Sequence, residues 1–247
     1  MDPRRTGNRF LDNLPADVTE HVARIAHLRS FDGRAVLGDR GDAIRQICFP
    51  VAGAIAHVET PDDGVPIEVF SVGCGGVSGF EALLDSEAVA LFARVTHVPV
   101  SALLVDTHKM RTIVAGSAAA RSLATRYALA SVRLAGLAAS CPRHAHMEAR
   151  LAAWLLRLID YTHANAFGLT HDYAASVLGV RRATVTTSFA ALAERGAVRI
   201  ARKRVEILDP VVLEAVTCGC RFEAVRILDG VYRDDRDGLA AGVAYTA

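Results

Sequence analysis

The chain has 247 residues, of which 51% are hydrophobic and 22% are charged, and its formal net charge is +1. This length and apolar share allow one large or two medium domains with a buried core, and they exclude a disordered chain. Apolar runs are too short for a membrane helix, and no apolar signal segment opens the sequence, so we expect a cytoplasmic protein without contact to a membrane. The five cysteines are odd in number and scattered, which argues against a disulfide framework.

The first part of the chain has the pattern of a small β domain. Residues 9–29 have the apolar spacing of a helical lead-in. From Phe31 to about Asp106, short segments rich in Val, Ile and Phe alternate with turns containing glycine, proline and aspartate. Strands of this length and spacing predict an antiparallel sandwich or jelly roll, which we place at residues 1–106.

Residues 107–140 predict a long helix rich in alanine. Two sets of positions each recur every seven residues, offset by three, which predicts a coiled-coil seam between two copies of the chain. A long helix lying on the β domain of its own chain is the alternative. We favour a homodimer, with a seam formed by Ile113, Gly116, Ala120, Leu123, Tyr127, Ala130, Leu134 and Leu137.

The segment from Leu169 to Arg199 contains two short amphipathic helices on either side of Gly179. Glycine closes the first helix because it adopts the left-handed conformation without steric cost, and Val180 can then fill the angle between the helices. This is the pattern of a helix-turn-helix. After Gly196, two strand-like segments flank a basic tip, which predicts a wing.

Positive charge is concentrated in this module. From Thr170 to Glu206 there are seven Lys or Arg and three Asp or Glu, so the rest of the chain is slightly acidic. Such an asymmetry is typical of a protein in which one module contacts nucleic acid. Arginines and short hydroxyl side chains at the start of the second helix suit contacts in a major groove. A small helical domain with solvated arginines is the plainer interpretation.

These residues resemble the DNA-binding signature of the Crp/Fnr family, the cyclic-AMP-receptor-like transcription regulators of bacteria. The matching positions are Thr170, Ala174-Ala175, Leu178-Gly179, Arg182, Thr184-Val185, Leu192 and Gly196-x-Val198. The resemblance implies an α+β protein with a cyclic-nucleotide-binding-like β-roll at its N-terminus and a dimerisation helix over residues 107–140. It further implies a winged helix-turn-helix domain with a C-terminal helix over 141–232, which leaves residues 233–247 as a polar tail.

The resemblance implies roles for individual residues in binding double-stranded DNA. One arginine, Arg182, would form a bidentate contact with guanine, while Thr170, Arg181 and Thr184 would contact phosphates. Ala183 and Thr187 stand where members often carry Glu and Arg, and these small side chains favour contact with thymine methyl groups. The full set comprises Thr170, Arg181, Arg182, Ala183, Thr184, Thr186, Thr187, Arg202, Lys203 and Arg204. The implied partners are a palindromic operator, a second copy of the chain and, as a further candidate, RNA polymerase.

No effector follows from the sequence. Members that bind cyclic AMP hold its phosphate with an Arg-Ser or Arg-Thr pair, whereas the stretch from Gly73 to Ala93 contains no arginine. A buried phosphate without a guanidinium would be an unpaired charge, so we expect that cyclic nucleotides do not bind. We expect an apolar pocket between the β-roll and the long helix, and no cofactor.

Two alternatives remain open. In one, the chain is a redox- or metal-responsive protein that uses Cys218 and Cys220, or Cys141 with His144 and His146. In the other, the sensor is degenerate and the chain binds DNA constitutively. Catalytic and metal sites are not expected, because no nucleophile triad, phosphate loop or complete ligand set can be placed.

Overall fold

A computed structural model describes residues 6–62, 64 and 66–233, without the side chain of His144. Most of the predicted polar tail, residues 234–247, lies outside the described residues. The described part folds into an antiparallel β-roll, a long helix and a winged helix-turn-helix, so the predicted α+β class is confirmed. Within these residues, no helix is both long and apolar enough to cross a membrane.

The β-roll begins with two helices, α1 (Arg9–Asp12) and α2 (Ala16–Ile25), where the sequence predicted one lead-in. Seven strands and a short helix follow: β1 (His27–Phe31), β2 (Val36–Gly38), β3 (Gln46–Ala52), β4 (Ile55–Glu59), β5 (Ile67–Val72), α3 (Glu81–Leu84), β6 (Ala93–Thr96) and β7 (Val100–Asp106). They form two antiparallel sheets with the strand orders β1-β7-β3 and β2-β6-β4-β5. Fully buried Phe10, Ile47 and Phe49 belong to the main core of this half.

The helical stretch after the β-roll consists of α4 (Thr107–Gly116) and α5 (Ala118–His144). Ser117 separates them and caps α5, because its hydroxyl accepts a hydrogen bond from the N–H of Ala120. The predicted break before Cys141 is wrong, since α5 continues through Cys141 and Pro142. A proline removes a single backbone hydrogen bond, and here it does so in the final turn, two residues before the helix ends.

The predicted coiled-coil seam lies against the protein's own core, and this corrects the assignment to a subunit interface. Seven of its residues are buried or half-buried in the cluster around the β-roll: Ile113, Ala120, Leu123, Tyr127, Ala130, Leu134 and Leu137. Gly116, the eighth, is exposed. A helix packed on a sheet needs an apolar stripe whether or not a partner covers its other side, so the seven-residue repeat did not distinguish the two cases.

The C-terminal half is built around α6 and the small sheet of the wing. Its elements are α6 (Met147–Thr162), β8 (Ala166–Phe167), α7 (His171–Leu178), α8 (Arg182–Glu194), β9 (Val198–Ala201), β10 (Arg204–Ile207), α9 (Pro210–Val216) and α10 (Gly219–Tyr232). Strand β8, which the sequence did not predict, joins the wing in the order β8-β10-β9. Trp154 of α6 is 1% exposed and lies in the core shared by these elements, except for α10.

The last helix predicted after the wing is divided into α9 and α10, and the two pack in different halves of the protein. Leu213 of α9 belongs to the core of the winged helix. In contrast, Ile227 and Val231 of α10 belong to the core of the β-roll and α5. An ion pair of 2.6 Å between Arg9 and Asp229 also ties α10 to the first helix. Helix α10 therefore packs with the β-roll and α5, unlike the arrangement predicted for residues 141–232.

Candidate nucleic-acid interface

The turn between α7 and α8 has the local geometry that the sequence predicts. Thr170 caps α7, because its hydroxyl accepts a hydrogen bond of 3.2 Å from the N–H of Tyr173. Gly179 ends α7 with φ = 63°, in the left-handed region that favours glycine. The N–H of Val180 then donates to the carbonyl of Ala175 at 3.0 Å, which satisfies a carbonyl of the last turn.

Helix α8 has one buried side and an exposed N-terminal end. Val185, Phe189 and Leu192 are all 0% exposed and hold the helix against α6 and α7. All the predicted DNA contacts around the start of α8 are exposed: Arg181, Arg182, Ala183, Thr184, Thr186 and Thr187. The structure therefore presents them together on the surface that a major groove can reach.

Hydrogen bonds within α8 decide what its hydroxyl groups offer to a ligand. The Oγ1 of Thr186 donates to the carbonyl of Arg182 at 3.0 Å, and that of Thr187 donates to the carbonyl of Ala183 at 3.1 Å. A hydroxyl engaged in this way keeps its lone pairs and its methyl group for outside contacts. Such a surface fits the thymine-methyl contacts that the sequence favoured.

Two side chains of α7 that the sequence analysis did not single out lie beside α8. His171 stacks on Phe189 with ring centroids 4.9 Å apart, and its Nδ1 lies 3.0 Å from the Oγ1 of Thr186. Asp172 lies 3.3 Å from the Nε of Arg182, and both side chains are more than two-thirds exposed. An exposed pair of this kind contributes little stability, so Arg182 is free to exchange Asp172 for a base. The one sequence signal that could have identified His171 and Asp172 as site residues is that they directly follow Thr170.

The wing is a tight hairpin with three exposed cations at its tip. Arg204 pairs with Ala201 across the two strands, which leaves Arg202 and Lys203 as the loop. Lys203 has φ = 59°, so a lysine adopts the left-handed conformation in a position where glycine would be unstrained. Arg202, Lys203 and Arg204 are all exposed, as phosphate contacts require.

A buried polar cluster, which we call the Glu68 clasp, joins the winged helix to the β-roll. Glu68 of β5 accepts a hydrogen bond of 2.6 Å from the Nε2 of His97, whose Nδ1 lies 2.6 Å from the hydroxyl of Tyr173 on α7. Arg157 of α6 lies 3.4 Å from the other oxygen of Glu68. Strand β5, the loop between β6 and β7, and helices α6 and α7 therefore meet around one carboxylate that is 6% exposed.

The electrostatics of the Glu68 clasp favour an ionised carboxylate. Burial alone would raise the pKa of Glu68, but the adjacent His97 and Arg157 outweigh that effect and hold the pKa at about 2. Burial raises the pKa of Tyr173, so its phenol stays protonated. The Glu68 carboxylate is therefore ionised at neutral pH.

A family model for the Crp-like helix-turn-helix domain matches residues 149–216, which contain α6, the helix-turn-helix, the wing and α9. This segment is therefore a Crp-like helix-turn-helix domain. No curated protein sequence matches it significantly.

Solved structures of Crp/Fnr regulators share the fold of the chain. FixK2 from Bradyrhizobium japonicum has a TM-score of 0.65 at 16% identity, and the alignment covers 79% of this chain and 98% of FixK2. TTHB099, a CRP-family regulator from Thermus thermophilus, has a TM-score of 0.61 at 22% identity, with 76% and 95% of the two chains covered. The c-di-GMP-responsive regulator CLP from Xanthomonas campestris has a TM-score of 0.61 at 15% identity, with 79% and 100% covered.

A cavity of about 430 Å³ lies between β5, α5, α6 and α10. Most of its wall is apolar and includes Phe70, Leu134 and Leu228, as the sequence predicted for a pocket between the β-roll and the long helix. The wall also contains Glu68, Arg150 and Arg157, which the prediction of an apolar lining missed. These charges come from strand β5 and from α6, and the Glu68–Arg157 pair is part of the clasp.

The cysteines and histidines considered as alternative sites are grouped differently in the structure. Cys218 and Cys220 lie beside Cys141, although they are far from it in sequence. His146 is the exposed N-cap residue of α6 and is not part of the group of closely spaced ligand atoms that the described residues form.

Proposed function

We propose that this chain is a homodimeric transcription regulator, rather than an enzyme, and that it binds a palindromic DNA operator in the bacterial cytoplasm. The observation that carries the proposal is the pair of exposed basic elements, the N-terminal end of α8 and the wing tip, on a chain that is otherwise slightly acidic. An exposed helix end and an exposed basic wing suit a major groove and the adjacent phosphates. Selection of bound sequences from a random DNA pool with the purified protein tests the proposal, which predicts enrichment of a two-fold symmetric site.

A second stripe of α5 supports a dimer, on the side of the helix opposite to the predicted seam. Its residues are all exposed and follow the spacing of coiled-coil a and d positions: Ala118, Ser122, Thr125, Leu129, Val132, Gly136 and Ala139. Leu129 is 62% exposed and Val132 is 70% exposed, which is unfavourable for apolar side chains in water. We therefore assign the subunit contact to this stripe, because two copies of it would bury both residues.

Replacing Arg182 by alanine is expected to weaken binding to the selected operator by about 1–3 kcal/mol and to relax the preference at one base pair of each half-site. The reason is that a bidentate guanidinium discriminates guanine from the other bases. Affinities for the operator and for single-base variants of it, measured by fluorescence anisotropy, check this result. Equal weakening on every DNA sequence would show that Arg182 contacts phosphate only.

The matched comparison removes the charges of the wing. Alanine at Arg202, Lys203 and Arg204 together is expected to weaken all sequences alike, because these side chains reach phosphates that every sequence carries. The magnitude of the slope of log affinity against log salt should also decrease by about 3, because each lost phosphate contact releases roughly one counterion fewer. A slope that equals that of the wild-type protein would place the wing outside the interface.

We expect that cyclic AMP and cyclic GMP leave the melting temperature and the DNA affinity unchanged at millimolar concentration. Helix α3 and its flanking loops between Gly73 and Ala93 supply no guanidinium, and Arg94, the next residue in the chain, is itself only 5% exposed. A ligand at a hundred times its Kd would add about 2.7 kcal/mol to the free energy of unfolding, which a thermal shift detects. A clear upward shift with either nucleotide would contradict the prediction and would make Arg94 the first residue to replace.

A further inference from the structure

Three cysteines from distant parts of the sequence form a cluster at the junction of α5 and α10. Cys141 lies in the last turn of α5, whereas Cys218 is the residue immediately before α10 and Cys220 lies in its first turn. The Sγ atoms of Cys141 and Cys218 are 3.6 Å apart, and the three Sγ atoms all lie within 4.8 Å of one another. All three side chains are partly buried and face the cavity of about 430 Å³.

The spacing of these sulfur atoms fits a single metal ion. Two thiolates that bind one tetrahedral ion at about 2.3 Å lie about 3.8 Å apart. The pair formed by Cys141 and Cys218 already has nearly this separation, and Cys220 needs to move by no more than about 1 Å, which a small side-chain rotation provides. The N-terminal end of α10, a helix of 14 residues, also favours negative charge on Cys218 and Cys220.

We propose that Cys141, Cys218 and Cys220 bind one soft divalent cation of the zinc and cadmium type. Three thiolates select a thiophilic ion over Mg²⁺ or Ca²⁺, which prefer oxygen ligands. Binding breaks three S–H bonds, releases three protons to solvent and forms three metal–sulfur bonds, with no change in oxidation state. Three protein ligands would leave the fourth coordination position of a tetrahedral ion for water or a small donor ligand.

A disulfide between Cys141 and Cys218 is the competing chemistry at this site. It requires two of the three sulfurs and an external oxidant that accepts two electrons, and it leaves Cys220 without a role. The mutual proximity of all three sulfurs therefore favours the metal ion.

The position of the site gives the ion a structural consequence. Helix α9, which ends just before Cys218, packs in the core of the winged helix. Helix α10, which contains Cys220, packs on α5. An ion held by Cys141 and by both ends of the Cys218–Cys220 turn would fix the point where the chain crosses from one half to the other. This consequence is independent of what DNA the protein binds.

Titration of the reduced full-length protein with Cd²⁺, and in parallel with Zn²⁺, tests the proposal. With Cd²⁺ we expect sulfur-to-metal charge-transfer absorption in the near ultraviolet that saturates at one ion per chain, and a higher melting temperature with either ion. Cys141→Ser, Cys218→Ser and Cys220→Ser should each weaken binding by about tenfold or more, because each removes a ligand. Cys74→Ser is the matched control, since Cys74 is also partly buried but lies outside the cluster.

Several outcomes would overturn the proposal. These are the absence of charge-transfer absorption, a loss of affinity in Cys74→Ser as large as in the cluster variants, or saturation at a different stoichiometry. A Cys141–Cys218 disulfide could instead persist in protein purified under reducing conditions, and thiol counting with peptide mapping would detect it. If that disulfide prevented Cd²⁺ binding, the site would be assigned to redox chemistry. Metal-free melting temperatures of the serine variants, compared with that of the metal-free wild type, identify any variant that fails to fold.

Discussion

Glutamate at both Leu129 and Val132 is expected to convert the protein from a dimer into a folded monomer. Both side chains are exposed on the outer stripe of α5, so the change does not disturb the core of the subunit. In a dimer it would instead place four carboxylates in one apolar contact, where like charges and desolvation oppose association. Because two linked half-site contacts bind more tightly than one, affinity for a palindromic operator should fall by about 10²–10⁴-fold.

Analytical ultracentrifugation and operator binding measure the two parts of this prediction. The control is a second Leu and Val pair, Leu28→Glu with Val36→Glu, at positions that are 65% and 63% exposed on β1 and β2. These positions match Leu129 and Val132 in type and exposure but lie on the β-roll. If the control pair also gave monomers, or if the wild-type protein sedimented as a monomer at micromolar concentration, the stripe on α5 would not be the subunit contact.

Replacing Glu68 by alanine is expected to lower the free energy of unfolding by about 3–5 kcal/mol, the cost of removing one partner from a buried ion pair. The change leaves His97 and Arg157 without their acceptor and opens the contact between β5 and the winged helix. The pKa of Glu68 is depressed to about 2, so its contribution is fully present above the unfolded-state value of about 4.3. That contribution is lost as the pH falls towards 2, which means that neutral buffer reveals the full effect.

Urea denaturation of Glu68→Ala at neutral pH measures this effect. The matched control is Glu59→Ala, because Glu59 lies on the neighbouring strand β4, opposite Ile67, and pairs at 2.7 Å with the exposed Arg40. An exposed pair of this kind is worth about 0–1 kcal/mol, so the control should lose little. Similar losses in the two variants would mean that the Glu68 clasp does not stabilise the docking of the two halves.

The helix-turn-helix could be predicted from the sequence because its determinants are local. The spacing of Val185, Phe189 and Leu192 specifies the buried side of α8, and Gly179 supplies the left-handed turn within the same few residues. The charge at Arg202 to Arg204 likewise depends only on neighbouring positions. Each of these features involves residues that are close in the chain, where periodicity and turn chemistry are informative.

The features that the sequence did not predict depend on long-range contacts. Whether Leu123 or Leu129 faces the core of the subunit is decided by the β-roll against which α5 packs, and both stripes have a spacing typical of a helix. The hydrogen bond between His97 and Tyr173 joins residues 76 positions apart, and the Cys141–Cys218 contact joins residues 77 positions apart. Composition and periodicity carry no information at that separation, so a single sequence does not reveal such sites.

The packing of α10 on the β-roll also sets the order in which the chain can fold during synthesis. The ribosome delivers this helix after the whole winged helix, yet Ile227 and Val231 belong to the same core as Phe10 and Leu11. N-terminal segments of a nascent chain usually fold first, but here the first half has to wait with part of its apolar surface uncovered. A nascent chain that stops after α9 would therefore carry a complete winged helix on an unfinished and aggregation-prone β-roll.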